Sequence, residues 1–534
     1  MSDTDVTTGV RQHRLRSVML VGTASNVGKS VLCAALCRIF AQDGISVAPF
    51  KAQNMSLNAA VTPSGAEIGR AQAMQAEAAG IEPTEHMNPV LLKPTGEMSS
   101  QVIVQGKAVG TVAARDYFAD HKAKLWRAVC ESYDHLRERF ELIVIEGAGS
   151  PVELNLKERD IANMRAAEMA DAAVILVADI DRGGIFASVL GTLLLLTPSE
   201  RARVCGIIVN RFRGDPSLFV EGVQILEERA GIPVLGVVPF IKDLQIDEED
   251  SVGLRGERYR REEDHSTVAD DLTLKIAVVR IPYISNFTDL DPLFIEPGVD
   301  VYFTVHPQEL EQADAIIIPG SKNTISDLLW MREAGMADAI IRAAQAGKQI
   351  LGICGGFQML GESVRDPEGQ ESPITEAPGL GLHPGVTTIS AVKRTVLVHG
   401  QVADRVSVPV HGYEMHMGET LGIPVDRAFA HVQDACAQSG QAPMRHDGYR
   451  TDDGQVIGTY LHGVLHNDAF RLTWLNRLRR LRRLPEQTSG LVVSEVRARA
   501  YDHLADVVRT HVQIDRLYEC VGKSTASVTP LPTA

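Results

Sequence analysis

Cys354 closes the stretch Gln349-Ile350-Leu351-Gly352-Ile353-Cys354-Gly355-Gly356-Phe357-Gln358-Met359-Leu360-Gly361, where an apolar run meets a thiol among glycines. Ile350, Leu351 and Ile353 read as a buried strand, and Phe357 to Leu360 begin a helix, so the thiol falls on the turn between them. Glycines at 352, 355 and 356 free the backbone there and let a substrate carbonyl approach main-chain NH groups. The positive end of the helix dipole favours a thiolate nucleophile. A lone cysteine is more often a small buried hydrophobe, but the glycines on both sides argue for nucleophilic chemistry.

A second constellation lies near the amino terminus. Ser17 to Val21 is a short apolar run, followed by Gly22-Thr23-Ala24-Ser25-Asn26-Val27-Gly28-Lys29-Ser30 and a helical pattern through Val31, Leu32, Leu36 and Ile39. Strand, glycine loop and helix in that order make a phosphate site. Main-chain NH groups of Thr23, Asn26, Val27 and Gly28 are expected to cradle phosphates, Lys29 to reach the β and γ oxygens, and Ser30 to bind magnesium. The loop is a variant, with Thr23 where the strict pattern has glycine and Gly22 one place early. Glu146 closes the apolar run Leu142 to Ile145, where a carboxylate can hold magnesium. Lys51 follows the run Val47 to Phe50 and can neutralise charge on a transferring phosphoryl group.

These groups need parallel sheets to position them. Val47 to Phe50, Leu142 to Ile145, Val174 to Ala178, Gly206 to Val209 and Val234 to Val238 alternate with helical segments, the pattern of a parallel sheet covered on both faces. Ligands of such sheets lie beyond the carboxyl ends of the strands. That makes Asp179 to Gly184 and Asn210 to Arg213 ligand-facing as well, and Asn210 is assigned to the nucleotide. A second α/β domain begins at Lys275 to Val279 and contains Asp314 to Ser321, another strand that ends in a glycine turn. The expected organisation is a tail over 1–16, a phosphate-loop domain over 17–243, a charged linker over 244–272, a second domain with carboxyl-terminal helices over 273–515, and a tail over 516–534. Leu472, Leu475, Leu478 and Leu481 read as one packed helix with a basic face.

The totals fit this plan. A chain of 534 residues exceeds one hydrophobic core. A net charge of −15 argues against a general nucleic-acid binder. Seven cysteines (33, 37, 130, 205, 354, 436, 520) without paired or zinc spacing imply reduced thiols and a cytoplasmic protein, and no apolar run is long enough for a membrane span. A homodimer is compatible with the sequence.

Phe50-Lys51-Ala52-Gln53-Asn54-Met55-Ser56-Leu57-Asn58-Ala59, the run from Glu67 to Ala76, Asn88 to Pro94, and Val144 to Leu156 together resemble the synthetase domain of the cobyric acid synthase family, which is related to dethiobiotin synthetase. The resemblance implies a magnesium shell of Ser30, Glu67 and Glu146, with Lys29 and Lys51 as phosphate clamps. Residues from about 273 to 475 resemble triad-type (class I) glutamine amidotransferases. By that resemblance Cys354 is the nucleophile, His462 its base, the amides of Gly320 and Gly355 the oxyanion hole, and Gln358 a glutamine contact. The family pattern His-x-Glu is broken, because Val464 stands where the glutamate would orient the imidazole. The site is therefore expected to be a dyad, with Glu414, His416 or His466 as candidate third members, and glutamine hydrolysis to be slow.

As a whole the resemblance implies ATP, Mg2+, glutamine and a corrinoid, adenosylcobyrinic acid a,c-diamide, amidated at its b, d, e and g carboxylates. Alternatives are the sister synthase that makes the a,c-diamide, a CTP synthase-like amidoligase, and a P-loop switch ATPase with an inactive glutaminase-like domain.

Overall fold

The computed structural model describes residues 15–94, 99–113, 122–242, 244–247, 272–404, 407–435 and 443–522. Residues 1–14 of the expected tail, 248–271 of the expected linker, Cys436, and 523–534 lie outside the described residues.

The apolar runs of the first half form a six-stranded parallel sheet in the order Val234–Pro239, Val204–Phe212, Ala173–Asp179, Val18–Gly22, Leu142–Glu146, Val47–Phe50. The strand Val18–Gly22 is central and buried along its whole length, so successive side chains serve two cores. Met19 and Val21 join Leu125, Val129 and Val189 on one face. Val18 and Leu20 join Leu36, Ile39 and Phe40 of the helix Lys29–Gln42 on the other. The phosphate loop leaves the carboxyl end of this central strand, where the neighbouring strands diverge in connection.

The second half repeats the design. Val299–Thr304, Leu274–Val279, Ala315–Ile318, Gln349–Ile353 and Val456–Thr459 are parallel neighbours, and Tyr449–Arg450 adds an antiparallel edge. The helix Asp468–Leu481 packs against it as expected, with the buried Arg471 guanidinium 2.7 Å from Glu296. Among the described residues, no helix is long and apolar enough to cross a membrane.

Three features depart from the sequence reading. A four-stranded sheet of Gln53–Met55, Val90–Pro94, Ser99–Val104 and Lys107–Ala113 flanks the first domain. Its polar, irregular strands carry weak alternation and gave no signal. A long antiparallel hairpin, Val386–Val402 with Pro409–Leu421, reaches from the second domain to the first, where Tyr413 and Met415 pack on Ala59, Val61, Leu91 and Ile103.

The third departure corrects the domain boundaries. The helices Val493–His511 and Ile514–Val521 pack on the first domain, not the second: Tyr501, Leu504, Val508, Leu517 and Tyr518 complete the core around Leu36 and Phe40. Gln513 N donates to Leu235 O at 2.8 Å, and Arg509 pairs with Asp43 at 2.7 Å. The expected tail thus begins as a helix, and Asp247 of the expected linker is buried between Arg70 and Arg497.

Candidate functional site

The second sheet carries the thiol. Gln349–Ile353 ends at Cys354, whose backbone (φ 50°, ψ −106°) lies in a region that L-residues avoid, and the helix Gly355–Leu360 begins at once. Such strain costs on the order of 1–3 kcal/mol and persists only where the surroundings impose it. Here they do so through close approach: a Cβ on Gly356 would stand 2.0 Å from the Ile318 carbonyl oxygen, and one on Gly352 2.8 Å from the Gly356 backbone. Cys354 is 6% exposed and lines a cavity, and its thiol points to the Met415 carbonyl at 3.6 Å.

His462 follows the adjacent strand Val456–Thr459 and meets the thiol. Its Nδ1 donates to Asp289 Oδ2 at 2.7 Å, while Asp289 Oδ1 accepts from the Gly463 amide at 2.8 Å. The Asn286 side-chain amide reaches His462 Nε2 at 3.3 Å. Burial works against the charged imidazole, but the Asp289 carboxylate, the Cys354 sulfur and the hydrogen bonds to both outweigh it, so the group is pushed up to about 10.

Asp289 therefore occupies the place of the orienting carboxylate, and the dyad expectation is corrected. It lies in the turn Phe287–Leu290, entered through Asn286 at φ 52°, beyond the strand Leu274–Val279. None of the candidates from the sequence takes that place. Glu414 is held by Arg394 at 2.6 Å and Arg445 at 2.7 Å, and His416 Nδ1 bonds the Gly418 carbonyl at 2.7 Å. His466 is half-buried, with both ring nitrogens enclosed and unpartnered among the described residues. Val464 is simply buried apolar surface in the turn after His462. The expectation of slow hydrolysis rested on a missing carboxylate and loses its premise.

Gly320 lies beside His462, and Gly355, which follows the thiol in the chain, lies against the residue after Gly320. A Cβ on Gly320 would come within 3.2 Å of His462 Cε1, and one on Gly355 within 2.7 Å of the Ser321 amide nitrogen. Gln358 lines the cavity, its Oε1 accepting from Thr324 Oγ1 at 2.9 Å.

In the first domain, the loop closes around Lys29, whose Nζ donates to the carbonyls of Ala24 at 3.2 Å and Gly149 at 3.1 Å. Asn26 and Gly28 take positive φ (57° and 93°), and a Cβ on Gly22 would stand 2.9 Å from Lys29 Nζ. Thr23 N donates to Val177 O at 2.9 Å, and Asn210 Nδ2 supports the loop through Val27 O at 2.8 Å. Glu146 is the hub: Ser30 Oγ donates to it at 2.9 Å, Lys51 Nζ at 2.8 Å and Gln75 Nε2 at 2.6 Å. A glycine cradle with a hydroxyl and a carboxylate in contact is a hard-oxygen set that suits a magnesium nucleotide. Among the described residues, no three His, Cys, Asp or Glu side chains converge as a metal cage, so such an ion would share phosphate and water oxygens.

Glu67 is corrected. Its carboxylate is not in the Ser30–Glu146 cluster, because Lys93 Nζ takes Oε1 at 2.8 Å and Lys393 Nζ takes Oε2. Glu67 begins the strand Glu67–Gly69, and the helix Arg70–Ala78 that follows carries Gln72 and Gln75 to Glu146 instead.

The CobQ/CobB/MinD/ParA nucleotide binding domain family matches residues 18–252, and the CobB/CobQ-like glutamine amidotransferase domain family matches 275–470. A cobyric acid synthase of Syntrophobacter fumaroxidans is 47% identical over 517 residues, 95% of this chain and 99% of that protein. The chain belongs to the cobyric acid synthase family. Cobyric acid synthases of Salmonella agona and Citrobacter koseri are each 46% identical, over 94% of this chain and 98% of theirs. In this member of the cobyric acid synthase family, sequence reasoning missed Asp289 and Asn286. The available signal was their place: they follow the strand Leu274–Val279 at its carboxyl end, where ligand-facing residues of parallel sheets gather.

Proposed function

We propose that this chain is a glutamine-hydrolysing, ATP-dependent amidoligase that converts adenosylcobyrinic acid a,c-diamide to adenosylcobyric acid by amidating the b, d, e and g carboxylates in turn. One observation carries the reading: Lys93, from the nucleotide domain, lines the same cavity as Cys354, so the nitrogen-releasing site opens against the domain that binds the nucleotide. Family membership names the reaction, and this junction gives it a physical basis.

At Cys354 the sulfur attacks the side-chain amide of glutamine, and His462, held by Asp289, hands a proton to the departing ammonia. The amides of Gly320 and Gly355 receive the oxyanion, each worth about 3–4 kcal/mol in comparable sites. Water then frees glutamate from the thioester.

In the first domain a corrinoid carboxylate takes the γ-phosphoryl group of ATP, which makes it an electrophile that ammonia can attack. Lys29 and Lys51 counter phosphate charge, and the loop amides from Asn26 to Gly28 orient the nucleotide, the Thr23 amide being already held by the Val177 carbonyl. Ser30 and Glu146 would hold Mg2+, whose chemistry is to neutralise charge on the phosphates. Both steps belong in the cytoplasm, where ATP, glutamine and reduced thiols coexist.

The test is incubation with ATP, magnesium, glutamine and the corrinoid diamide, followed by mass spectrometry. Four successive exchanges of OH for NH2 are expected, and a corrinoid returned unchanged overturns the reading.

A further inference from the structure

The cavity beside Cys354 is bounded on its far side by a buried ion cluster drawn from both domains. Lys93 comes from the strand Val90–Pro94 of the first domain and Lys393 from the long hairpin of the second, and both line the cavity. Between them sits Glu67, 1% exposed, with one carboxylate oxygen on each ammonium. Lys93 Nζ also lies 3.5 Å from Met415 Sδ, and the Met415 carbonyl receives the Cys354 thiol. Contact therefore runs without interruption from the thiol through Met415 and Lys93 to Glu67. From Glu67 the chain continues into the helix Arg70–Ala78, whose Gln72 and Gln75 hold Glu146 at the phosphate loop.

Lys393 is delivered to this place by an irregularity. The hairpin pairing slips between Ile389 and Arg394, and Lys393 falls within the slip, leaving the ladder to reach Glu67 and, at 3.3 Å, Gln101 Oε1. A bulge that re-aims one side chain is a recognised device at functional edges.

The cluster has a definite electrical character. Lys322, half-buried at the cavity, adds a third ammonium, against the carboxylates of Glu67 and Glu371. Burial opposes the charge on Glu67, yet Lys393 and Lys93 hold its carboxyl down at about 2. Burial in turn draws Lys393 down to about 8, with Glu67 resisting and Lys93 and Lys322 assisting. Surroundings with more ammonium than carboxylate repel an ammonium ion and leave neutral ammonia free to pass, and ammonia is the nucleophile that amidation requires.

We propose that Glu67, clamped between Lys93 and Lys393, is a gate between the two sites, which closes the Cys354 cavity toward the nucleotide domain and parts to pass ammonia. The proposal rests on the amidoligase reading above. Glu67 and Lys393 are positioning residues here, since neither touches a reacting atom.

The experiment compares the full-length natural chain with Lys393→Met and Lys393→Arg, and measures glutamate released per amide formed on the corrinoid diamide, with glutamine and separately with ammonium as donor. The natural chain is expected to release close to one glutamate per amide. Lys393→Met is expected to raise that ratio severalfold while its ammonium-supported amidation stays within about twofold of the natural chain, and Lys393→Arg to restore the low ratio. An unchanged ratio in Lys393→Met overturns the gate, as does an equal loss of amidation with both nitrogen sources, which would mark a merely structural residue. If the natural chain forms no amide with either donor, the assigned reaction itself fails, a result distinguishable from failure of the gate.

Discussion

Two turns in this chain do the same geometric task, carrying a reactive group out of the carboxyl end of a central parallel strand, and they place backbone strain differently. At the phosphate loop the unusual conformations fall on Asn26 and Gly28, while Lys29 itself opens the helix. At the other turn Cys354 itself takes φ 50°, with glycines before and after it. A loop that must wrap a ligand leaves its reactive side chain relaxed and long, so that it can follow the phosphates. A nucleophile that must meet one carbonyl from one direction is fixed by strain on its own backbone.

The sharpest way to break this comparison is to remove each reactive group. Cys354→Ala should abolish glutamine-supported amidation, by about 10³-fold or more, and leave ammonium-supported amidation intact. Lys29→Met should lower amidation from both nitrogen sources by a similar factor and spare glutamine hydrolysis. Paired assays with the two donors read both, and equal effects in the two variants would mean that the sites do not work separately.

Asp289→Asn comes next. Losing the orienting carboxylate should lower the kcat of glutamine hydrolysis about 10²- to 10⁴-fold. It should also shift the pH profile. His462 is raised above its ordinary value, so its charge is kept through neutral pH and lost as pH rises through about 10. Without Asp289 that loss moves toward neutral, and a rate profile between about pH 6 and pH 10 should show the alkaline limb displaced downward.

Smaller effects sharpen the role of the glycines. Gly28→Ala would force a Cβ to 2.2 Å from Asn210 Nδ2 at φ 93°, and should weaken nucleotide binding about 10- to 100-fold by calorimetry, without changing glutaminase activity. Gly356→Ala, with its Cβ 2.0 Å from a carbonyl oxygen, should cost the second domain about 2–4 kcal/mol in denaturant unfolding.

The smallest expected effect concerns His466. Burial holds its imidazole neutral, down to about 3, with Arg70 and Arg497 adding to the effect and Asp247 and Asp289 opposing it. An unfolded chain takes up that proton below about pH 6.5, so stability is lost as pH falls from there toward 3. His466→Leu should retain about 1–2 kcal/mol more than the natural chain between pH 7 and pH 5, read from denaturation midpoints at the two pH values.

Much of the framework was legible because each site hangs on a buried strand followed by glycines. The loop at Lys29, the elbow at Cys354 and the strand-end Glu146 all combine a local pattern with a sharp change of chain direction. Asp289 was not legible, because its relation to His462 spans 173 residues and is made by a short turn with no repeating pattern. Glu67 failed for a related reason. Its position before the helix Arg70–Ala78 suggested a metal ligand, but lysines from a distant strand and from the other domain claim its charge, and sequence spacing does not reveal them. The helix Val493–His511 shows the limit for packing, since its apolar stripe announces that it must be covered and not by which domain.

That returning helix has a consequence for how the protein can be divided. Phe40 and Tyr518 belong to the same core and are in ring contact, their centroids 5.6 Å apart. A cut after residue 242 would strip the amino-terminal piece of the cover over Leu36, Ile39 and Phe40, and would leave the other piece with an orphaned greasy helix. The two chemistries are therefore buckled together by this returning helix, so that folding and turnover treat them as a single object.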